Sequence, residues 1–230
     1  MKYESICEGR FISRPNRFIA YVEADGGEQV CHVKNTGRCR ELLVPDARVI
    51  LSRAAEGAKR KTAYDLIAVY KNDMLINMDS AAPNAAVHEW LENGGLGEFQ
   101  QLRPEYKYGD SRFDFYGERN GKRIFMEVKG VTLENNGIVS FPDAPTERGR
   151  KHIEGLIRCV SEGHEGYIIF VVQMEKAEYF TPNRKTDPAF AVALERAEKS
   201  GVKIICRSCN VTENSMVIGG EIPVKINEKA

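Results

Sequence analysis

Neither sign of charge is in excess: the 230 residues carry 33 Lys plus Arg and 33 Asp plus Glu, a formal net charge of zero. That excludes a chain which attracts nucleic acid or an anionic surface by its overall field, so any polyanionic partner must be met by local patches. No apolar run approaches the roughly 20 residues needed to cross a bilayer. The opening MKYESICEGR has no apolar secretion segment, so a cytoplasmic protein with no membrane partner is expected. Cysteine is scarce and scattered, as Cys7, Cys31, Cys39, Cys159, Cys206 and Cys209, and reduced thiols are expected. Cys206-x-x-Cys209 supplies half of a zinc-ribbon spacing, but a second such pair is absent. No helix-turn-helix pattern is evident. What remains, 42% hydrophobic and 29% charged, is an ordinary globular chain long enough for one large domain or two small ones.

What is present centres on residues 111–129, read as two strands, SRFDFYG and RIFMEVK, joined through Asn120-Gly121, a hairpin signal. Alternation puts Arg112, Asp114 and Tyr116 on one face and Phe113 and Phe115 on the other. In the second strand Phe125, Glu127 and Lys129 share a face, opposite Ile124, Met126 and Val128. If Asp114 faces the same way as Glu127 and Lys129, two carboxylates and an ammonium converge. Close carboxylates repel unless a proton or a cation lies between them, and a hard divalent ion is the usual solution. Lys129 would then orient a water or stabilise an oxyanion. A cross-strand salt bridge on a solvated face would use the same letters.

Up to about Pro83 the chain reads as short strands, 17–22, 29–33, 48–51 and 65–70, separated by Asp25-Gly26-Gly27, Asn35-Thr36-Gly37 and Pro45-Asp46. Strands at this spacing suggest a small OB-like barrel. Within 34–61 eight basic residues (Lys34, Arg38, Arg40, Arg48, Arg53, Lys59, Arg60, Lys61) face three acids (Glu41, Asp46, Glu56), a patch able to neutralise phosphates or simply a solvated surface. From 84 onward the predicted order is a helix over 84–96, strands near 105–108, 111–117 and 123–129, a further run at 138–141, a helix over 145–162, a strand over 167–172, a helix over 187–199 and a strand over 202–206. That order resembles the restriction-endonuclease-like core, and Asp114, Glu127 and Lys129 match its PD-(D/E)xK pattern without the proline. The expected fold is α/β: an OB-like domain over 1–83, then a mixed-sheet nuclease-like domain over 84–230.

The 145–162 helix opens with Arg148, Arg150, Lys151 and His152 against Glu147. Cations near a helix N-terminus oppose the macrodipole, which favours anions there. Arg148 shares a face with Lys151 and His152, so a phosphate could satisfy these side chains and the free backbone N–H groups together. Neutralisation by Glu147 and Asp143 is the alternative, and His152 alone reads as an ordinary surface histidine.

The segments SRPNRFIAYV, NTGRCRELLVPDARVILS, YKYGDSRFDFY, MEVKGVTL, FPDAPTERGRKHIEGL, and IIFVVQ with DPAFAVAL resemble the sugar fermentation stimulation protein family over almost the whole chain. The resemblance implies a DNA-binding protein with an OB-like N-terminal domain and a PD-(D/E)xK nuclease-like C-terminal domain, linked in bacteria to regulation of sugar metabolism, particularly maltose use. Carried over, the nuclease pattern falls on Asp114, Glu127 and Lys129. The helix acid that many members of the superfamily add falls on Glu89, with Glu105 as competitor. The chain departs from the family where Cys31-His32-Val33-Lys34 replaces a His-Cys-Pro type turn before NTG, and where AlaPro replaces AlaVal in FPDAPT.

Three functions follow as expectations. In the first, Asp114 and Glu127, with the Val128 carbonyl and Glu89, hold Mg or Mn, Lys129 assists catalysis, and Arg148, Lys151, Arg38 and Arg40 hold DNA phosphates. Tyr106 and Tyr108 are candidates to stack on bases. In the second, the fold binds DNA without cutting it and acts as a regulator. The third is a small-molecule phosphoesterase.

Overall fold

The computed structural model describes residues 1–35, 37–54 and 61–228, so Thr36 of the predicted turn and Glu56, Lys59 and Arg60 of the basic stretch lie outside the described residues. Six strands come first: β1 (Ile6–Ser13), β2 (Ile19–Ala24), β3 (Gly27–Val33), β4 (Arg48–Arg53), β5 (Tyr64–Lys71) and β6 (Met74–Asn77). They pair in the order β3-β2-β1-β4-β5-β6, and β3 also pairs with β5 in parallel, so β1 to β5 close into a five-stranded barrel. The alternation that encodes it is plain in β2, where Ala20, Val22 and Ala24 are buried and the residues between them are not. This is the OB-like barrel the sequence predicts, with β1 and β6 added to the four expected strands.

The rest of the chain forms α1 (Ala82–Glu92), β7 (Gln101–Tyr108), β8 (Ser111–Arg119), β9 (Lys122–Val131), β10 (Leu133–Asn135), β11 (Ile138–Phe141), α2 (Glu147–Ser161), β12 (Glu165–Val172), β13 (Tyr179–Pro182), α3 (Pro188–Lys199), β14 (Lys203–Thr212) and β15 (Ser215–Glu221). A six-stranded mixed sheet runs β15-β14-β12-β9-β8-β7, antiparallel at both ends and parallel where β12 meets β9 and β14. Strand β12 is buried along nearly all its length because helices cover both faces there. On one face Ile124, Met126 and Val128 pack with Ala86, Val87 and Leu91 of α1. On the other, Phe125 and Phe170 pack with Ile153 and Leu156 of α2 and Phe190 of α3. Strands β10, β11 and β13 make a separate small sheet.

One expectation about faces is corrected. Phe113 and Phe115 do not share a face, because Phe113 packs in the cluster with Phe125 whereas Phe115 packs with Met126 under α1. The strand changes phase at Asp114, and the facing Glu105 of β7 has a left-handed φ of 53°. Cys206 and Cys209 fall in different clusters, as odd spacing along a strand requires, and all six cysteines are free thiols, so the half zinc-ribbon is ordinary packing.

The barrel is bolted to the mixed sheet through Gln173, at the end of β12. Its Nε2 lies within 3.1 Å of three acceptors, the carbonyls of Asn77 and Asp79 and the Asn77 side chain. Beside it Lys34 donates to the buried Asp79 carboxylate at 2.6 Å. The basic stretch is therefore partly spent on structure: Lys34 pairs with Asp79, Arg53 with Asp25, and Arg48 lies 3.5 Å over the Tyr70 ring. Among the described residues no helix is long and apolar enough to cross a membrane.

Candidate functional site

The β8–β9 ladder runs from the Asn120-Gly121 turn as far as Phe115 opposite Met126 and there stops. Beyond that point the strands splay, and a carboxylate takes the place of the missing backbone acceptor: Val128 N–H donates to Asp114 Oδ2 at 2.8 Å. The N–H and C=O of one residue in a strand point to the same side, so the Val128 carbonyl also faces this gap. Asn84, in the first turn of α1, donates from Nδ2 to Asp114 Oδ1 at 3.0 Å.

Glu127 stands next to Val128 on the face covered by α2, and its side chain is only 3% exposed. Lys129 Nζ donates to Glu127 Oε1 at 2.5 Å. His152 Nδ1 meets the same oxygen, which leaves Glu127 Oε2 buried with no hydrogen-bond partner. An α-helix can bring an imidazole this close because α2 crosses β8 at Gly155, where a Cβ would lie 2.5 Å from Ser111 Oγ and 3.0 Å from the Phe113 ring. His152 is thus a buried residue of the site and not a surface histidine. The signal that could have found it is spacing, since His152, Leu156 and Cys159 form one buried stripe.

The two carboxyl groups are driven in opposite directions. Burial, then the charge of Glu127, raise Asp114 above the ordinary carboxylate range against the hydrogen bonds from Val128 and Asn84. Burial works to raise Glu127 as well, but the hydrogen bond from His152 and the charge of Lys129 outweigh it and hold Glu127 low.

The structure brings Asp114, Glu127 and Lys129 together, and it takes Glu89 and Glu105 elsewhere. Glu89 bonds the Met1 α-ammonium at 2.5 Å and Glu105 pairs with Arg112 at the sheet edge. On a helix of 3.6 residues per turn Asn84 and His88 share a face, whereas Glu89 is turned about 140° from Asn84. His88 accordingly stacks on Phe115 at 5.6 Å, and Asn84 occupies the place expected of a helix acid.

The cations of α2 also divide. Arg150 pairs with the buried Asp187 at 2.8 Å, and Lys151 lies 3.8 Å from Asp110 on an exposed flank. The neutralising acids are therefore Asp187 and Asp110 and not Glu147 and Asp143. Arg148, one turn before His152, has no hydrogen-bond or ionic partner among the described residues, and the same holds for the guanidinium groups of Arg38 and Arg40. Tyr106 and Tyr108 are engaged in packing: Tyr106 stacks on Tyr116 at 4.1 Å, and Tyr108 lies 4.5 Å from Phe125 and donates to Glu162.

A divalent cation fits this donor set. The uncompensated Glu127 Oε2 needs a cationic or hydrogen-bonding partner, Asp114 keeps lone pairs on both oxygens, and the Val128 carbonyl adds a third hard donor. Among the described residues no group of three or more His, Cys, Asp and Glu is placed to hold a metal ion, so the remaining positions would fall to water or substrate oxygens.

Comparison with known proteins agrees over the whole chain. The family described as "Sugar fermentation stimulation protein RE domain" matches residues 81–215, and "SfsA N-terminal OB domain" matches residues 12–78. A sugar fermentation stimulation protein homolog from Desulfitobacterium hafniense is 55% identical over 99% of this chain and 100% of its own length. One from Clostridium beijerinckii is 54% identical over 97% and 99%. Among solved structures, that of Pyrococcus furiosus SfsA in complex with Ca2+ is similar with a TM-score of 0.87 and 26% identity, covering 98% of each chain.

Proposed function

This chain belongs to the sugar fermentation stimulation protein family, and from that premise we propose that it is a DNA-binding protein whose C-terminal domain carries a divalent-metal-dependent phosphodiesterase site. The observation that carries the reading is the orphaned, buried Glu127 Oε2, on a carboxylate whose charge acts on Asp114, at the point where β8 and β9 part. The Pyrococcus furiosus relative was solved with Ca2+, which supports a divalent ion here, with Mg or Mn as the proposed metal.

Asp114, Glu127 and the Val128 carbonyl would hold the ion. When bound, it would supply Lewis-acid neutralisation of a scissile phosphate and a water of lowered pKa. Lys129 occupies Glu127 Oε1 and, released from it by substrate, would offer its ammonium to a non-bridging phosphate oxygen. His152 holds Glu127 so that Oε2 keeps its direction. Arg148 would take a flanking phosphate, with Lys151 further along the same helix and Arg38 and Arg40 on the barrel extending the track. Glu89, bound to the chain's own α-ammonium, has no part in this site.

The test is cleavage of single-stranded, duplex and branched DNA with Mg or Mn by the parent, Asp114→Ala and Lys129→Ala. Metal-dependent cleavage lost in both variants is the expected result. A second reading, a regulator that binds DNA without cutting it, is favoured by one observation: with two carboxylates and no third side-chain ligand among the described residues, the Lys129 ammonium already pairs with Glu127. Salt-sensitive binding by all three proteins with no cleavage would establish it and sink the nuclease reading.

A further inference from the structure

A groove of about 580 Å³ runs across the barrel between the segment that joins β1 to β2 and the segment that follows β3. Its floor is held by Arg14, whose guanidinium donates to four carbonyls, those of Arg17, Asn35, Gly37 and Arg38, at 2.6–2.9 Å. Arg14 is thereby consumed as a staple. Three other arginines are not: Arg17 lines one wall, Arg38 and Arg40 line the other, all are exposed, and among the described residues none of the three guanidinium groups has an ionic or hydrogen-bonding partner. Among the described residues no acidic side chain lines the groove.

Apolar surface accompanies this charge. Phe18, just before β2, is 46% exposed, with the Arg17 guanidinium 4.9 Å from its ring centroid; Ile12, in the groove wall, is 40% exposed. A solvated cationic patch on a barrel gains nothing by exposing an aromatic ring. An exposed ring beside Arg17, at the wall of a groove whose other side carries the unpaired Arg38 and Arg40, suits a chain that presents phosphates and flat bases together. In a duplex the base faces are stacked on one another and only backbone and base edges are offered, so a duplex could use the arginines but not the ring.

The groove also leads somewhere. Gly37 lines both this groove and a second cleft, of about 190 Å³, between barrel and mixed sheet. That cleft is lined by Gly130 and Val131, the residues that follow Lys129 in β9, and by Asp143, whose carboxylate accepts from the Arg38 N–H at 3.2 Å.

We infer that this groove is a binding track for single-stranded DNA, in which Phe18 stacks on a base, Arg17, Arg38 and Arg40 hold the flanking phosphates, and the strand is led past Gly37 toward Lys129. The inference deepens the proposed function by naming its substrate class, and rests on that reading only for what happens at the far end of the track.

The experiment is fluorescence anisotropy, in EDTA, with a labelled deoxythymidine strand of about 12 nucleotides, within the reach of one OB barrel, beside a duplex and a uridine strand of equal length. The expected results are tighter binding of the single DNA strand than of the duplex, and a loss of about tenfold for the single strand in Phe18→Ala with duplex binding unchanged. Phe18→Tyr, which keeps a ring, retains the affinity. The Arg38→Ala, Arg40→Ala double variant lowers the slope of log affinity against log salt by about 1.4, two contacts at about 0.7 each. Equal losses on strand and duplex in Phe18→Ala, no loss on either, duplex binding as tight as strand binding in the parent, or preference for the uridine strand would each overturn the inference. Cleavage with Mg or Mn is scored separately. A parent that cleaves while Phe18→Ala binds like it removes the track and leaves the nuclease; a parent that never cleaves while Phe18→Ala loses the strand removes the nuclease and leaves the track.

Discussion

His152 and Lys129 converge on a single oxygen of Glu127 and leave the other buried and unbonded. Two donors on one oxygen make the carboxylate directional, so its free lone pairs point one way. Removing either donor has different consequences. Lys129→Ala takes away a group proposed to touch substrate, and kcat is expected to fall by about 10²–10³. His152→Ala takes away a positioning group, and the loss of divalent-ion affinity is expected to be about 10-fold to 100-fold. Titration of Mn into each variant, read calorimetrically beside steady-state cleavage, separates the two. A His152→Ala protein with parental Mn affinity would show that the imidazole does not orient Glu127.

Asp114 is kept where its ionised form is disfavoured, by burial and by Glu127. A charge so placed costs stability while the metal is absent. Asp114→Asn removes it and can still accept the Val128 N–H, with the Asn84 amide turned to present its oxygen. The variant is therefore expected to be more stable than the parent by about 1 kcal/mol in urea at neutral pH without metal. It should also lose the stabilisation that the parent gains from Mn. A less stable Asp114→Asn would mean that the carboxylate is a structural acceptor first.

Gln173 reaches across the boundary between the barrel and the mixed sheet, and it is 2% exposed. Its side-chain amide serves acceptors of Asn77 and Asp79 that are themselves buried, so removal leaves them unsatisfied at about 1–3 kcal/mol each. Gln173→Ala is expected to lower the urea midpoint and to separate barrel unfolding from sheet unfolding. Trp90 fluorescence from α1, which follows the sheet domain, and far-ultraviolet circular dichroism, which follows both domains, would then give two midpoints where the parent gives one.

Much of this was legible in the letters. Period-two alternation in RFIAYV marks Ala20 and Val22 as core, and in RIFMEVK it sorts the side chains between two covered faces, with Glu127 and Lys129 on their predicted one. What failed has physical causes. Strand β1 hides its alternation because Gly9 holds an inward position, where a Cβ would lie 2.5 Å from Val22 Cγ1. The change of phase at Asp114 is invisible because a carboxylate replacing a backbone acceptor leaves no compositional trace. Glu89 was chosen for its charge, whereas the helix reaches Asp114 with Asn84, a residue whose amide donates where an acid would repel. His152 reads as a surface residue because it sits in a basic run, although the Leu156 and Cys159 spacing and the small Gly149 and Gly155 around it mark the buried side of the helix.

Asp187 shows how the start of α2 is held, and predicts the acid behaviour of the protein. Its carboxylate caps α3 through the Phe190 N–H at 2.9 Å, accepts the Thr146 N–H at 2.9 Å and pairs with Arg150, so one side chain ties two helix starts together. Burial works to raise its pKa, but the two backbone hydrogen bonds and the Arg150 charge prevail and hold it below the ordinary value of about 3.9. A carboxyl lowered on folding contributes stability that is complete above the unfolded-state pKa and is lost as pH falls through the folded one. Asp187→Ala should therefore cost about 2 kcal/mol at pH 7, a lost cap combined with a half-buried guanidinium left without its partner. That difference from the parent should hold constant down to about pH 5 and shrink below about pH 4 as the parent carboxyl protonates. Urea titrations of both proteins at pH 7, 5, 4 and 3 measure it. A gap that widened on acidification would mean that Asp187 carries a proton in the folded protein, and that Arg150 is held by something else.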